Sequence, residues 1–302
     1  MSRFRKILLP IDFSTHAGTA LEFAIALARE SGATVHLFHA YEIPLGTIPP
    51  YGVAIPEPLL ADVRDAAARR LEKATQQLAR AGVRSETHIL HATPAEGIEE
   101  AARSLGADLI LMGTRGLTGL KHVLLGSVAE RTVRSAPCPV LTVRTHEEGS
   151  PGGAAVGRMR SILAPLDFSP HSGAALDLAI ELAREHRGEI LLLHAYELPA
   201  AVTLAYGVAI PQSLWDGVQQ AAQVQLDRAL ARVKAAGVAG DAQLATGPAA
   251  DAIVATAAAR KSDLIVMATR GLSGLKHVLL GSVAERTLRT APCPVLTLRS
   301  EG

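Results

Sequence analysis

Apolar and polar positions along the chain switch repeatedly between two periods. Residues 6–11 form a short, nearly unbroken apolar run that closes on Pro10-Ile11-Asp12. A run of that kind predicts a strand buried on both faces. The next stretch sets Leu21, Ala24, Ile25 and Leu27 at helical spacing, with Ser14 or Thr15 to cap its start and Gly32 to end it. A second strand is expected over 34–40, followed by a Pro-rich loop. A long amphipathic helix then spans about 59–81, its apolar stripe backed by Arg and Asp, which reads as a core face and not a membrane face. The pattern continues with a strand over 84–90, a helix over 95–105, a strand over 107–112, a glycine-containing loop, a helix over about 127–134 and a last strand over 139–144. Alternating β and α elements with continuous apolar strands predict an α/β fold. Its mostly parallel sheet carries helices on both faces, doubly wound in the Rossmann manner.

The same pattern is written twice. ILLPIDFSTH at 7–16 returns as ILAPLDFSPH at 162–171, and YGVAIP at 51–56 returns at 206–211. Residues 113–145 return at 268–300 with 27 of 33 positions identical, and every pair is offset by 155. Residues 1–147 therefore map onto 156–302, which sets two domains with a linker at about 146–158, rich in Gly and small residues. Each copy is long enough to bury a core of its own.

Composition narrows the function classes. Of 302 residues 48% are hydrophobic but only 3% aromatic, so the cores are aliphatic. Thirty Lys and Arg against 29 Asp and Glu leave a formal charge of +1, which gives no electrostatic footprint for nucleic acid or an anionic membrane. Two cysteines cannot form a disulfide framework, and no apolar run approaches the roughly 20 residues of a membrane span. A cytoplasmic protein is the expectation.

The segment GTRGLTGLKHVLLGSVAERT (113–132) carries most of the chemistry. Glycines admit close approach of a phosphate, and Gly126-Ser127 leads directly into a helical run. The free N–H groups of a helix start favour an anion. Ser127 adds a hydroxyl, and Arg115 and Lys121 add positive charge. The loop is not GxxxxGK[ST], and the first strand is not followed by GxGxxG, so neither the P-loop nor the dinucleotide fingerprint applies. Turn-making and helix capping remain the plain alternative for these glycines.

Gly-x-x-Gly, nine residues, then Gly-Ser resembles the nucleotide-binding signature of the universal stress proteins. Here it is Gly113-Thr114-Arg115-Gly116, then 117–125, then Gly126-Ser127. ILLPIDFS at the start and APCPVLTV at the end extend the resemblance, and both copies carry it, so the whole chain resembles a tandem universal stress protein. The resemblance implies five parallel strands per copy in the order 3-2-1-4-5, ATP as the ligand and a role in survival under stress; the sequence does not fix a metal, although magnesium often accompanies ATP phosphates. The resemblance also implies where ATP would be held. Asp12 would reach the adenosine moiety and the main chain at Ala40 the adenine edge. Gly113, Gly116, Gly126, Ser127 and Val128 would line the phosphates. The matching positions in the second copy are Asp167, Ala195, Ala268, Gly271, Gly281, Ser282 and Val283. Ala268 replaces the first glycine, where a methyl group would crowd the phosphate or, if positive φ is needed, force a conformational change. The first site therefore ranks above the second.

Other residues keep two readings. Asp12 and Asp167 could cap the following helices instead of meeting a ligand. All four tyrosines, Tyr41, Tyr51, Tyr196 and Tyr206, fall in the two Pro-rich loops, where they could stack on a base or anchor the loop. His36-x-x-His39 and His88-x-x-His91 suggest a metal, but on a strand i and i+3 point to opposite faces, and no Cys spacing supports zinc. Packed or solvated histidines are the stronger reading, and no metal site is assigned. Cys138 and Cys293, each between two prolines, read as packed thiols. Single-copy members of the family dimerise through their last strands, so residues 139–144 against 294–299 would make an intramolecular pseudo-dimer, with a homodimer of whole chains open. Three functions stand. One is an ATP-binding stress module read by an unidentified protein partner. The second is a slow ATPase or phosphotransfer enzyme, for which the loop offers no carboxylate pair and no assigned catalytic residue. The third is a nucleotide-free scaffold.

Overall fold

The computed structural model describes residues 3–42, 57–114, 125–144, 157–197, 211–271 and 280–299. The chain divides into two units, Met1–Gly149 and Ser150–Gly302. In the first unit β1 (Lys6–Pro10), α1 (Thr15–Ser31), β2 (Thr34–Tyr41), α2 (Glu57–Arg80), β3 (Ser85–His91), α3 (Pro94–Leu105), β4 (Leu109–Gly113), α4 (Ser127–Ser135) and β5 (Val140–Val143) follow one another. The strands lie in the order β3-β2-β1-β4-β5, every pair parallel. The second unit repeats the series as β6 (Ser161–Pro165), α5 (Pro170–His186), β7 (Glu189–Tyr196), α6 (Gln212–Ala235), β8 (Ala239–Thr246), α7 (Ala249–Ala259), β9 (Leu264–Ala268), α8 (Ser282–Thr290) and β10 (Val295–Leu298). Its order, β8-β7-β6-β9-β10, is the same, again all parallel. The expected doubly wound α/β fold, with strand order 3-2-1-4-5, is present in each unit. No described helix is long and apolar enough to cross a membrane.

The elements form where the residues dictate. Ile7, Leu8 and Leu9 are fully buried in the central strand, in register with Val35, His36 and Leu37 of β2. Ser14 is the cap of α1: its Oγ accepts from the Ala17 N–H at 3.2 Å. On α2 the buried residues are Ala67, Leu71, Ala74 and Leu78, one helical stripe packed on β2 and β3. Strand β1 is pinned at its start by a distant carboxylate. The backbone N–H groups of Arg5 and Lys6 donate to Asp108 at 2.8 and 3.1 Å, and those of Arg160 and Ser161 donate to Asp263, both at 3.0 Å.

Two expectations need correction. The fourth strand begins at Leu109 and not at 107. Gly106 takes the left-handed conformation at φ 59° and the Ala107 N–H closes on Ala102 O, so these residues finish α3. Tyr41 and Tyr196 are the last residues of β2 and β7 and not loop residues; Tyr41 stacks on His91, ring centroids 5.1 Å apart. Tyr51 and Tyr206 lie outside the described residues. Cys138 and Cys293 are free thiols, and burial pushes both up to about 12, which keeps them protonated and unreactive at neutral pH.

The two copies end their first helix differently. Gly32 closes α1 at φ 71°, whereas the matching residue after α5 is Arg187 at φ 50°. A side chain in the left-handed region costs about 1–2 kcal/mol, partly offset by glycine's greater freedom when unfolded. Arg187→Gly is expected to stabilise the second unit by about 0.5–1 kcal/mol. Urea unfolding would register this as a higher midpoint at unchanged slope; a lower midpoint would contradict it.

Candidate functional site

The residues that precede the helices at the carboxyl ends of the strands converge on one cavity in each unit. In the first unit it encloses about 370 Å³. Asp12, Ala40, Gly113, Gly126, Ser127 and Val128 all line it. Gly116 lies outside the described residues, as do Arg115, Lys121 and His122. The second cavity, about 300 Å³, is lined by Asp167, Ala195, Ala268, Gly271, Gly281, Ser282 and Val283. This is the edge at which doubly wound sheets hold ligands, beside the point where the strand order reverses around β1.

Each side of the first cavity has its own chemistry. Its floor and walls are apolar: Phe38 and Met112 from the strands, Pro94 and Ile98 from α3. No motif announces these four residues, and only the fold brings them together. At the other side stands the first turn of α4. Its cap is Gly126 at φ −63°, which supplies no side-chain hydrogen bond, so the N–H groups of the first turn face an uncapped start. The ends of the glycine loop are tied: the Gly126 N–H donates to Thr114 O at 2.9 Å, and the Thr114 N–H to Val143 O at 3.0 Å. The second unit repeats both bonds through Gly281, Thr269 and Leu298. A Cβ placed on Gly281 would stand 3.1 Å from Thr269 O, and one on Gly271 would run into the Asp167 carboxylate. A side chain at 281 is thus pressed against backbone, whereas one at 271 meets only the end of the flexible Asp167 side chain.

The first glycine of the pattern behaves differently from expectation. Neither Gly113 nor Ala268 has a positive φ; both end a strand in ordinary ladder register, opposite Val143 and Leu298. The backbone change considered for Ala268 is therefore unnecessary. What remains is its methyl group, buried in the wall of the smaller cavity.

Asp12 does not cap α1 itself. Its Oδ1 accepts from the Ser14 N–H at 3.0 Å and from the Ser14 hydroxyl at 2.6 Å, so it positions the cap while lining the cavity. The turn that carries it is strained. Phe13 has φ 64° and Phe168 φ 62°, a region that bulky side chains rarely occupy. Phe13 is held between the His39 ring, 4.5 Å between centroids, and the Arg70 guanidinium, 3.9 Å from its centroid. His39 Nδ1 lies 2.7 Å from Ile11 O, and since a carbonyl only accepts, Nδ1 carries the proton. His194 and Leu166 O repeat that bond at 2.7 Å. The strained turn, its aromatic support and the fixed histidine were not legible from spacing.

The universal stress protein family model matches residues 3–144 and again residues 159–299. A universal stress protein of Thermus aquaticus is 42% identical over 146 residues, which are 47% of this chain and 99% of that protein. One of Methanocaldococcus jannaschii is 37% identical over 143 residues, 47% of this chain and 82% of its own. A universal stress protein of Mycobacterium tuberculosis H37Rv aligns over 221 residues at 27% identity, 71% of this chain and 68% of its own. Among solved structures, a universal stress protein from Archaeoglobus fulgidus superposes with a TM-score of 0.72 over 99% of this chain and 98% of its own, at 21% identity, a likeness in fold.

Proposed function

The chain belongs to the universal stress protein family, and we propose that it is a stress-response regulator that binds ATP, in the first unit's cavity before the second. The observation that carries this reading is the cavity itself. One side is an uncapped helix start with Ser127 and Val128 in its first turn, suited to phosphates. The other is an apolar wall of Phe38, Met112 and Ile98, suited to a base and sugar. Asp12 is the one carboxylate among the described lining residues and the group that a nucleoside hydroxyl or an accompanying magnesium ion would meet. The preference for the first unit rests on Ala268, whose methyl group takes space where the first unit has Gly113.

The reading favours holding nucleotide over turning it over. Asp12 Oδ1 is already engaged by two donors from Ser14, which weakens it as a general base. The test is to denature the freshly purified full chain and chromatograph what it releases. About one ATP per chain is the expected result. About two would overturn the ranking of the units. ADP alone would favour hydrolysis. Finding no nucleotide, together with no rise in melting temperature on adding ATP, would overturn ATP binding and favour a scaffold.

A further inference from the structure

Where β2 pairs with the edge strand β3 of the first unit, three metal-ligating side chains meet across two strands. Parallel pairing sets His36 of β2 against Glu86 of β3, with His88 two residue pairs further on and on the same face. Residues i and i+3 on one strand cannot share an ion, which is why spacing alone argued against a metal. The strand register supplies a combination that spacing does not show. His36 Nδ1 lies 3.1 Å from His88 Nε2 and 3.5 Å from Glu86 Oε2, and His88 Nε2 lies 3.8 Å from that same oxygen. A point about 2.0 Å from all three atoms exists in the plane of that triangle, within the range of zinc–nitrogen and zinc–carboxylate bonds.

We propose that His36, Glu86 and His88 form a binding site for one divalent transition-metal ion of the zinc class, with a fourth position open to water. Two imidazoles and one carboxylate favour zinc, cobalt, nickel or copper over magnesium, which prefers an all-oxygen shell. The side chains of Glu86 and His88 are 62% and 30% exposed, so an ion can enter from solvent, while His36 is buried and fixed in place. Burial also lowers the pKa of His36, with His88 and Lys6 acting in the same direction and Glu86 and Asp108 opposing, so its ring is neutral at pH 7 and fit to ligate. On binding, the proton shared between the two facing nitrogens moves to the remote nitrogen of its own ring, so both lone pairs meet the metal and no proton need leave.

The second unit supplies an internal comparison. At the matching positions it has Leu191, Asp241 and Gln243, in the same register. A single carboxylate remains, and it is taken by Arg260 at 3.0 Å, whereas the first unit has Leu105 at the position of that arginine. A buried histidine thus stands where the second unit has leucine, and the arginine that pairs with the second unit's carboxylate is replaced by Leu105. His36 meets His88 and Glu86, so an ion would take over a polar cluster that the first unit has and the second lacks.

The test uses the untagged full chain, stripped with a chelator and freed of nucleotide, titrated calorimetrically with Zn²⁺ alone. One ion per chain is expected, with a higher melting temperature for the loaded protein. His88→Ala and Glu86→Gln should each weaken binding by about tenfold or more, and His36→Leu should abolish it. The leucine is the residue the second unit carries there, and circular dichroism of each variant checks the fold. Mg²⁺ at the same concentration should give no heat. Absence of Zn²⁺ binding to the unaltered chain, or binding undiminished in folded His36→Leu and His88→Ala, would overturn the site.

Discussion

Gly113→Val should weaken ATP binding at the first unit by about 100-fold while leaving the fold intact. Gly113 ends β4 in extended backbone that a β-branched residue adopts without strain, so the cost falls on the cavity and not on the strand. The second unit, with Ala268 in that place, has a cavity of about 300 Å³ against 370 Å³ in the first. Two further methyl groups would stand where the ligand is expected. The converse change, Ala268→Gly, should tighten the second site toward the first. Calorimetric titration of the full chain with ATP would read both: two unequal sites in the unaltered protein, a single weak class in Gly113→Val, and two nearly equal sites in Ala268→Gly. ATP affinity at the first site unmoved by valine would mean that the ligand does not approach β4, and the phosphate assignment would fall.

Phe38→Ala should destabilise the first unit by about 3–5 kcal/mol. The residue is only 2% exposed and forms part of the cavity wall. It also occupies the space that a side chain at position 97 would take. A Cβ on Gly97 would lie 3.1 Å from Phe38 Cζ, 3.3 Å from Ala92 Cβ and 3.4 Å from Ala40 Cβ. The second unit meets the same need with the opposite distribution of volume, Leu193 and Ala252 in place of Phe38 and Gly97. Phe38→Leu alone leaves a gap and Gly97→Ala alone overpacks, so the two together should cost less than the sum of each, a coupling of about 0.5–3 kcal/mol. Urea unfolding of the two single variants and the double variant measures it. Strict additivity would show that the ring and the glycine do not compensate one another.

The elements differ in how far their sequence foretells them. Ile7, Leu8 and Leu9 announce a central parallel strand because burial on both faces demands an unbroken apolar run. Ala67, Leu71, Ala74 and Leu78 announce a helix because one face alone is buried. Ser14 and Gly32 announce the ends of α1 by the chemistry of orphaned backbone groups. These are local signals. The start of β4 was misplaced because Ala107 completes a helix end, a matter of three-dimensional hydrogen bonding that an apolar pattern does not encode. At the cavity, the residues of the glycine pattern were legible because their backbone roles restrict residue type. Pro94, Ile98 and Met112 were not, because an apolar wall looks like any other core. The cluster of His36 and His88 is not legible in spacing either, because their meeting depends on the register of two strands 50 residues apart in sequence.

The carboxylates of Asp108 and Asp263 bear on how the chain comes to be folded at all. Each pins the start of a central strand that was synthesised about 100 residues earlier. Neither β1 nor β6 is therefore secured until the second half of its own unit exists. The strands β1 and β6 agree at three of five positions, β4 and β9 at three of five and β2 and β7 at four of eight, so exchange of one strand for the other is the error expected of a duplicated chain. Synthesis from the amino terminus removes the ambiguity, since Asp108 leaves the ribosome long before β6 does and finds only one strand to hold. A chain released whole from denaturant has no such order, and both strands then compete for both anchors.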